Sequence, residues 1–314
     1  MKVIVVSGPT ATGKTGLAVE LALKFSGQIV NFDSLLLYKE INIGTAKPTL
    51  VERLSVPHHM IDVRSISDPM TAADFARESF TVVEKLLQEQ KLVFLVGGSG
   101  FYLQALLKGM YQSQTTAPEI IQKSDELFSS GGIGPFLEIL KVHDPLSRER
   151  YHQNDHYRIR RAVEYWWSNG QPISLAREQK DQANSQLAGP TVHGWDILHL
   201  YLDLPKLEHL EIIQRRARRM LEAGLLEEVR GLLAAGFQGS EKPLKSIGYK
   251  ETLDFLRGEI KTPAELEERI VISTRQLAKA QRTWFNRDPQ KETYHPLEDK
   301  NHISQRVAAF LNQP

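Results

Sequence analysis

The chain has 314 residues, 41% hydrophobic and 25% charged, with a formal net charge of +1. That is enough for one large domain or two smaller ones, and a near-neutral balance excludes neither nucleic acid nor an acidic substrate, because patches matter more than totals. The absence of cysteine excludes disulfides, thiolate metal sites and thiol nucleophiles.

From the start, residues 2–7 contain the apolar run Val3-Ile4-Val5-Val6 and are expected to form a buried strand. The run leads into Gly8-Pro9-Thr10-Ala11-Thr12-Gly13-Lys14-Thr15. This is the G-x-x-x-x-G-K-[ST] pattern, set between a strand and a helix as its mechanism requires. The helix, residues 13–25, shows Leu17, Leu21 and Phe25 every fourth position, with Gly27 beyond as a stop signal. Such a loop turns backbone N–H groups toward a phosphate at the positive end of a helix dipole. Lys14 adds a point charge, and the Thr15 hydroxyl is the expected magnesium ligand. The ligand therefore carries a diphosphate or triphosphate.

Residues 28–31 predict a second strand ending at Phe32-Asp33-Ser34, and 59–63 a third. Thr71 to Asp74 reads as a capping box opening an amphipathic helix through Phe75, Val83, Leu86 and Leu87. Leu92 to Val96 is an unbroken apolar strand ending in Gly97-Gly98-Ser99-Gly100. Apolar strands alternating with helices predict a parallel sheet covered on both faces. Ligands of such sheets lie beyond the carboxyl ends of the strands. The phosphate loop, Asp33-Ser34 and Gly97-Gly98-Ser99 should therefore surround one crevice.

Between residues 112 and 193 strand signals vanish and basic and aromatic residues concentrate. Residues 197–204 then read as a last strand of the sheet, followed by helices over 206–235 and 263–286. The second helix opens with Thr262-Pro263-Ala264-Glu265, a capping box with proline at the first helical position. The expected architecture is an α/β phosphate-loop core, residues 1–111 and 194–314, interrupted by a helical insertion, residues 112–193. No apolar stretch reaches the roughly 18 residues of a membrane span. Met1-Lys2 runs straight into the first strand, leaving no room for a signal peptide. A monomer in the cytoplasm is expected.

Several further segments fall in a telling order. They are Asn31 to Lys39, Ile43-Gly44-Thr45-Ala46-Lys47-Pro48, Pro57 to Asp62, Leu95 to Tyr102, Asn154 to Ala162, Ile247 to Glu251, and Thr274 to Phe285. In this order and spacing they resemble the tRNA dimethylallyltransferases, from residue 3 to about 287. The resemblance implies transfer of a five-carbon prenyl group from dimethylallyl diphosphate to N6 of adenosine 37, beside the anticodon, with release of diphosphate.

The residues suit that chemistry. Growing charge on a diphosphate leaving group needs fixed donors and a metal, here the amides of residues 10–15, Lys14 and a magnesium ion near Thr15. A hydroxyl from Thr10 or Thr12 is expected on the oxygen between prenyl group and diphosphate, and the sequence leaves both open. The exocyclic amine is a poor nucleophile, so a carboxylate that takes its proton is needed; Asp33 is the candidate base, its alternative role being a metal ligand or helix cap. A stacked adenine must be extruded to react. Asp33, Ser34, Leu35 and Leu36 are expected to line the pocket that receives it, with Ser99 beside them.

The wider tRNA surface, the anticodon stem-loop contact, is assigned to Tyr157, Arg158, Ile159, Arg160 and Arg161, where arginine and aromatic residues interleave. It also includes Lys245, Ser246, Ile247, Gly248, Tyr249 and Lys250. Arg275, Lys279 and Arg282 add one face of the last long helix. From the cluster of Arg215, Arg216, Arg218 and Arg219, only Arg216 is carried over, as a contact to the diphosphate or to tRNA. Trp166 and Trp167 read as core of the insertion.

Some positions depart from the family pattern. Ala117 and Ile121 stand where an aspartate and an arginine are usual, Glu40 where glycine is, Ile212 where arginine is common, and Ser99 where threonine is. The cysteine zinc finger of larger members is absent. Other readings are a prenyltransferase acting on free adenine nucleotide, which should lack the basic helix at 158–161, a small-molecule kinase of the shikimate or gluconate type, and a non-catalytic tRNA-binding relative.

Overall fold

In the computed structural model, which describes residues 1–110, 116–185, 191 and 193–313, strand β1 (Lys2–Ser7) runs through the middle of a six-stranded sheet. Val3, Ile4, Val5 and Val6 are all 0% exposed. Alternate side chains of a strand point to opposite faces, and each face has its own core. Val3 and Val5 join one cluster and Ile4 and Val6 the other. Burial on both faces explains why the run is apolar without alternation.

The first third alternates as expected: α1 (Lys14–Lys24), β2 (Gly27–Asn31), α2 (Leu50–Ser55), β3 (His58–His59), α3 (Ala72–Gln88), β4 (Leu92–Gly97) and α4 (Gly100–Lys108). The capping box of α3 is complete: Thr71 Oγ1 accepts from the Asp74 amide, and the Asp74 carboxylate accepts from the Thr71 amide. The third strand is shorter than the expected 59–63. Met60 and Asp62 take φ of 60° and 57°, left-handed values that end a strand. The turn is held because Asp62 accepts from Lys47 Nζ at 2.5 Å and Arg53 at 2.6 Å.

A compact unit, Lys108–Ala188, follows; the expected boundary at 111–112 lies outside the described residues. It contains α5 (Pro118–Gly131), α6 (Gly134–His143), α7 (Pro145–Arg150), α8 (His156–Asn169) and α9 (Ile173–Ser185). Phe136, Leu140, Ile159, Ala162, Val163 and Tyr165 form its own core. Trp167 packs against this core, and Trp166 stacks on His143 with ring centroids 3.7 Å apart.

The other unit, Met1–Leu107 with Gly189–Pro314, resumes with β5 (Asp196–Leu202), α10 (Lys206–Glu222), α11 (Leu225–Ala234), α12 (Tyr249–Leu256), α13 (Pro263–Phe285), β6 (Glu292–Tyr294) and α14 (Lys300–Asn312). The single helix expected over 206–235 is two, broken where Gly224 takes φ 96°, a conformation that glycine adopts without strain. The strand order is β3-β2-β4-β1-β5-β6 and every pair is parallel. β5 is therefore not the last strand: β6 pairs beside it with Leu200 opposite Glu292. Ile303, Val307 and Phe310 of α14 cover the face carrying Ile4 and Val6. The tail, where the family resemblance fades, still completes the core.

Candidate active site

At the carboxyl ends of β1, β2 and β4 lies a cavity of about 500 Å³, lined by the phosphate loop, Asp33, Thr45 to Pro48, Gly97, Arg216 and Arg219. The strand–loop–helix geometry builds it. β1 stops at Ser7, and α1 opens after Gly13, whose φ of 79° turns the chain into the helix. The first amides of α1 have no partner within the helix, so the loop presents donors where Lys14 and Thr15 also line the cavity.

Three charged groups converge there. Burial lowers the Lys14 ammonium to about 8, with Asp33 acting to raise it and Arg216 to lower it further. Burial also lowers Arg216, again with Asp33 raising it. Arg216 donates to the Thr45 carbonyl at 3.3 Å, and Lys14 Nζ to the Pro9 carbonyl at 2.7 Å. Two cations held this close in a half-buried cavity favour a polyanion, with one carboxylate set beside it. The Asp33 carboxylate is oriented locally: Oδ1 accepts from the Leu35 amide at 3.0 Å, and the Asp33 amide donates to Asn31 Oδ1 at 2.8 Å. Leu36 lines the same cavity, and Ser99 Oγ accepts from the Ser34 amide at 3.1 Å.

The two threonines left open by the sequence differ here. Thr12 is 1% exposed and its hydroxyl donates to the Pro9 carbonyl at 2.9 Å. Only Thr10 lines the cavity, so the expectation for Thr12 is corrected: its proton braces the loop. One expected loop donor is corrected too. The Thr10 amide donates to Gln281 Oε1 at 2.8 Å, so the donor series for a phosphate begins after it. Gln281 Nε2 donates to the Gly98 carbonyl at 2.9 Å, tying α13 to the loop after β4.

Gly97 allows a close backbone approach beside Asp33. A Cβ there would stand 2.7 Å from the Phe32 carbonyl carbon and 2.8 Å from the Asp33 amide nitrogen. Neither backbone atom can move without displacing Asp33. Gly97→Ala is therefore expected to destabilise the protein by about 1–3 kcal/mol and to slow any reaction that uses Asp33. Thermal melting beside turnover checks this, and an alanine variant with unchanged melting and rate would refute it.

The cavity wall at 44–48 hangs on Glu228, whose carboxylate accepts from the amides of Asn42, Ile43 and Gly44 and from the Tyr249 hydroxyl at 2.5 Å. Tyr249 is fully buried and Gly44 rests on its ring. Tyr249 and Gly248 are thus not tRNA contacts as expected; they shape the wall. The Ser246 hydroxyl donates to the Pro243 carbonyl at 2.6 Å and Ile247 packs on the core, leaving Lys245 and Lys250 exposed in that segment. Glu40, at a usual glycine, accepts from the Ser65 hydroxyl and the Ile66 amide.

On α13, Arg275 and Lys279 are exposed, but Arg282 does not share their surface. Its guanidinium binds Asp203 at 2.8–3.2 Å and His209 at 2.7 Å. In the helical unit Ile159 is fully buried, so it is core and not a contact; helical periodicity turns it opposite to its basic neighbours. Arg160, Arg161, Tyr157 and His156 line a separate cleft of about 410 Å³ with Phe128 and Glu164. Arg160 also pairs with Asp125, Arg161 with Glu164, and Arg158 with Asp155, the N-cap of α8. Ile121 lies 46% exposed on α5.

Glu228, Gln281, His209 and Arg219 belong to this site; Gln281 and Arg219 fall in segments the sequence singles out but without a role, and Glu228 and His209 fall in none. Each reaches it from a helix more than 170 residues beyond the phosphate loop, so sequence spacing carries no signal for them.

A parallel sheet whose central strand feeds a G-x-x-x-x-G-K-T loop beneath a cationic cavity defines a phosphate-loop protein. Residues 36–288 match the family model described as IPP transferase. The chain is 40% identical over 288 residues to tRNA dimethylallyltransferase 2 of Geotalea uraniireducens, covering 92% of this chain and 90% of that one. It is 41% identical over 291 residues to the tRNA dimethylallyltransferase of Bdellovibrio bacteriovorus, covering 91% and 90%. A solved structure of a eukaryotic dimethylallyltransferase acting on tRNA superposes with a TM-score of 0.79 at 26% identity, over all of this chain and 80% of the other. The full-length tRNA isopentenylpyrophosphate transferase of Bacillus halodurans does so with a TM-score of 0.71 at 26% identity, over 99% and 96%. The chain belongs to the IPP transferase family, the tRNA dimethylallyltransferases.

Proposed function

We propose that this chain transfers the dimethylallyl group of dimethylallyl diphosphate to N6 of adenosine 37 in tRNA, releasing diphosphate. The observation that carries this reading is one cavity lined by Lys14, Arg216, Thr10 and Asp33 together. In the transfer, N6 bonds to C1 of the prenyl group, the C1–O bond breaks, and the electron pair leaves with the diphosphate. Lys14, Arg216 and the amides of residues 11–15 meet that charge where it grows. Thr10 donates to the oxygen that leaves. Asp33 takes the N6 proton. Magnesium fits beside Thr15, a cavity-lining hydroxyl residue, since it takes few protein oxygens and keeps water and substrate phosphate as its other ligands; when bound it would neutralise the diphosphate. Among the described residues no helix is long and apolar enough to cross a membrane.

Incubation with labelled dimethylallyl diphosphate, magnesium and unmodified bulk tRNA tests the reading: label should appear on tRNA. Label on free adenine nucleotide, or phosphate transfer from ATP to a small molecule, would replace it by one of the alternatives.

The cleft of Arg160, Arg161 and Tyr157 supports contact with anticodon-stem phosphates. Each lost phosphate contact lowers the salt slope of binding by about one unit. Arg160→Ala with Arg161→Ala should therefore weaken tRNA binding, flatten its salt dependence, and leave affinity for dimethylallyl diphosphate unchanged. An unchanged tRNA affinity across a salt series would reduce these arginines to their pairs with Asp125 and Glu164.

A further inference from the structure

The backbone of Thr10 is held from both sides. Its amide is bound by Gln281, and its carbonyl lies 2.8 Å from His209 Nε2. The opposite ring nitrogen, Nδ1, lies 2.7 Å from an Arg282 nitrogen. A guanidinium has donors only, so Nδ1 accepts and the proton resides on Nε2, which donates to Thr10. Arg282 is in turn fixed by both oxygens of Asp203, at 2.9 and 3.2 Å from Nε, and by the Leu204 carbonyl. His209 is 2% exposed, so bulk solvent does not compete for either ring nitrogen. The chain Asp203–Arg282–His209–Thr10 thus runs from the end of β5 through α13 and α10 to Thr10, which lines the cavity.

We infer that His209 is a positioning residue for prenyl transfer, its Nε2–H holding the Thr10 carbonyl so that the Thr10 hydroxyl keeps its aim at the leaving-group oxygen. This rests on the function proposed above and adds a residue to it. Burial of the phosphate loop does not require such a bond: Thr12, Lys14 and Gln281 already brace Pro9, Thr10 and Gly98. What the His209 bond adds is the orientation of one peptide, and with it the direction of one side chain. Misplacement of a reacting group by about 1 Å can cost on the order of 10² in rate.

Two substitutions separate the ring nitrogens. In His209→Gln the amide nitrogen reaches the Nε2 position and still donates to Thr10. In His209→Asn the amide reaches only the Nδ1 position, keeping Arg282 and losing Thr10. Both are measured over a tRNA concentration series at saturating dimethylallyl diphosphate, alone and combined with Thr10→Val, with melting followed in parallel. His209→Asn should lower kcat by about 10-fold to 10²-fold with the KM for tRNA unchanged, while His209→Gln stays close to the unsubstituted rate. In the Thr10→Val background His209→Asn should cost nothing further, because residues that act as a unit are not additive. The inference is overturned if His209→Asn keeps its kcat, if Gln and Asn are equally slow, or if the Asn defect persists in full beside Thr10→Val. If the unsubstituted chain fails to label tRNA, the proposed function itself falls, an outcome visible without any variant.

Discussion

Turnover falls by about 10² to 10⁴ when Asp33 is replaced by alanine, with binding of tRNA and of dimethylallyl diphosphate nearly unchanged. The expectation follows from the nucleophile. The N6 lone pair is delocalised into the adenine ring and becomes available only as its proton leaves. Asp33 is the carboxylate that shares the cavity with Lys14 and Arg216. It also has a local duty, since Oδ1 accepts from the Leu35 amide. Asp33→Asn keeps that acceptor and removes only the base, so it should be as slow as Asp33→Ala while melting at the unsubstituted temperature. Single-turnover kinetics of both variants beside equilibrium binding decide the matter. An active Asn variant would leave Asp33 a turn-capping role, and lost diphosphate affinity with chemistry intact would make it a metal ligand.

Removal of Lys14 should be the second large effect. Its ammonium faces charge that grows as the C1–O bond breaks, so an interaction there is stronger in the transition state than in the ground state. Lys14→Ala is expected to raise the KM for dimethylallyl diphosphate and, at saturation, still to lower kcat by about 10² to 10³, the cost of removing one fixed donor of this kind. If saturating donor restores the full rate, the loop only binds. The lowered pKa of about 8 adds a pH signature. In the free site the ammonium is lost as pH rises through about 8, well below the usual lysine range. Affinity for inorganic pyrophosphate should therefore decline on the alkaline side from there, and the decline should vanish in Lys14→Ala.

What the sequence by itself determined is what local chemistry determines. The phosphate loop is a contiguous run between a strand and a helix, and the two-faced burial of β1 is written in four successive apolar residues. The α3 capping box needs only residues three apart. For the same reason the parallel sheet and the helical insertion were legible, since period and punctuation are properties of neighbouring residues. Boundaries suffered where a single backbone angle decides: the left-handed Met60 and Asp62 cut β3 short, and Gly224 divides α10 from α11. The short β6, whose pairing with β5 supplies its stability, carries no signal of its own.

The site divides along the same line. Lys14, Thr15, Asp33 and Arg216 were named from motif and resemblance, and the fold gathers them into one cavity. Tertiary packing alone decided which neighbours face inward. A residue in a promising segment can be turned into the core, as Ile159 and Tyr249 are, or spent on an internal carboxylate, as Arg282 is on Asp203. The same packing chose Thr10 over Thr12 and brought Glu228, Gln281 and His209 to the loop from helices far along the chain. Hydrogen bonds between residues some 180 to 270 positions apart leave no period, spacing or composition in the sequence. They exist only once the sheet has closed and its covering helices have fixed which atoms meet.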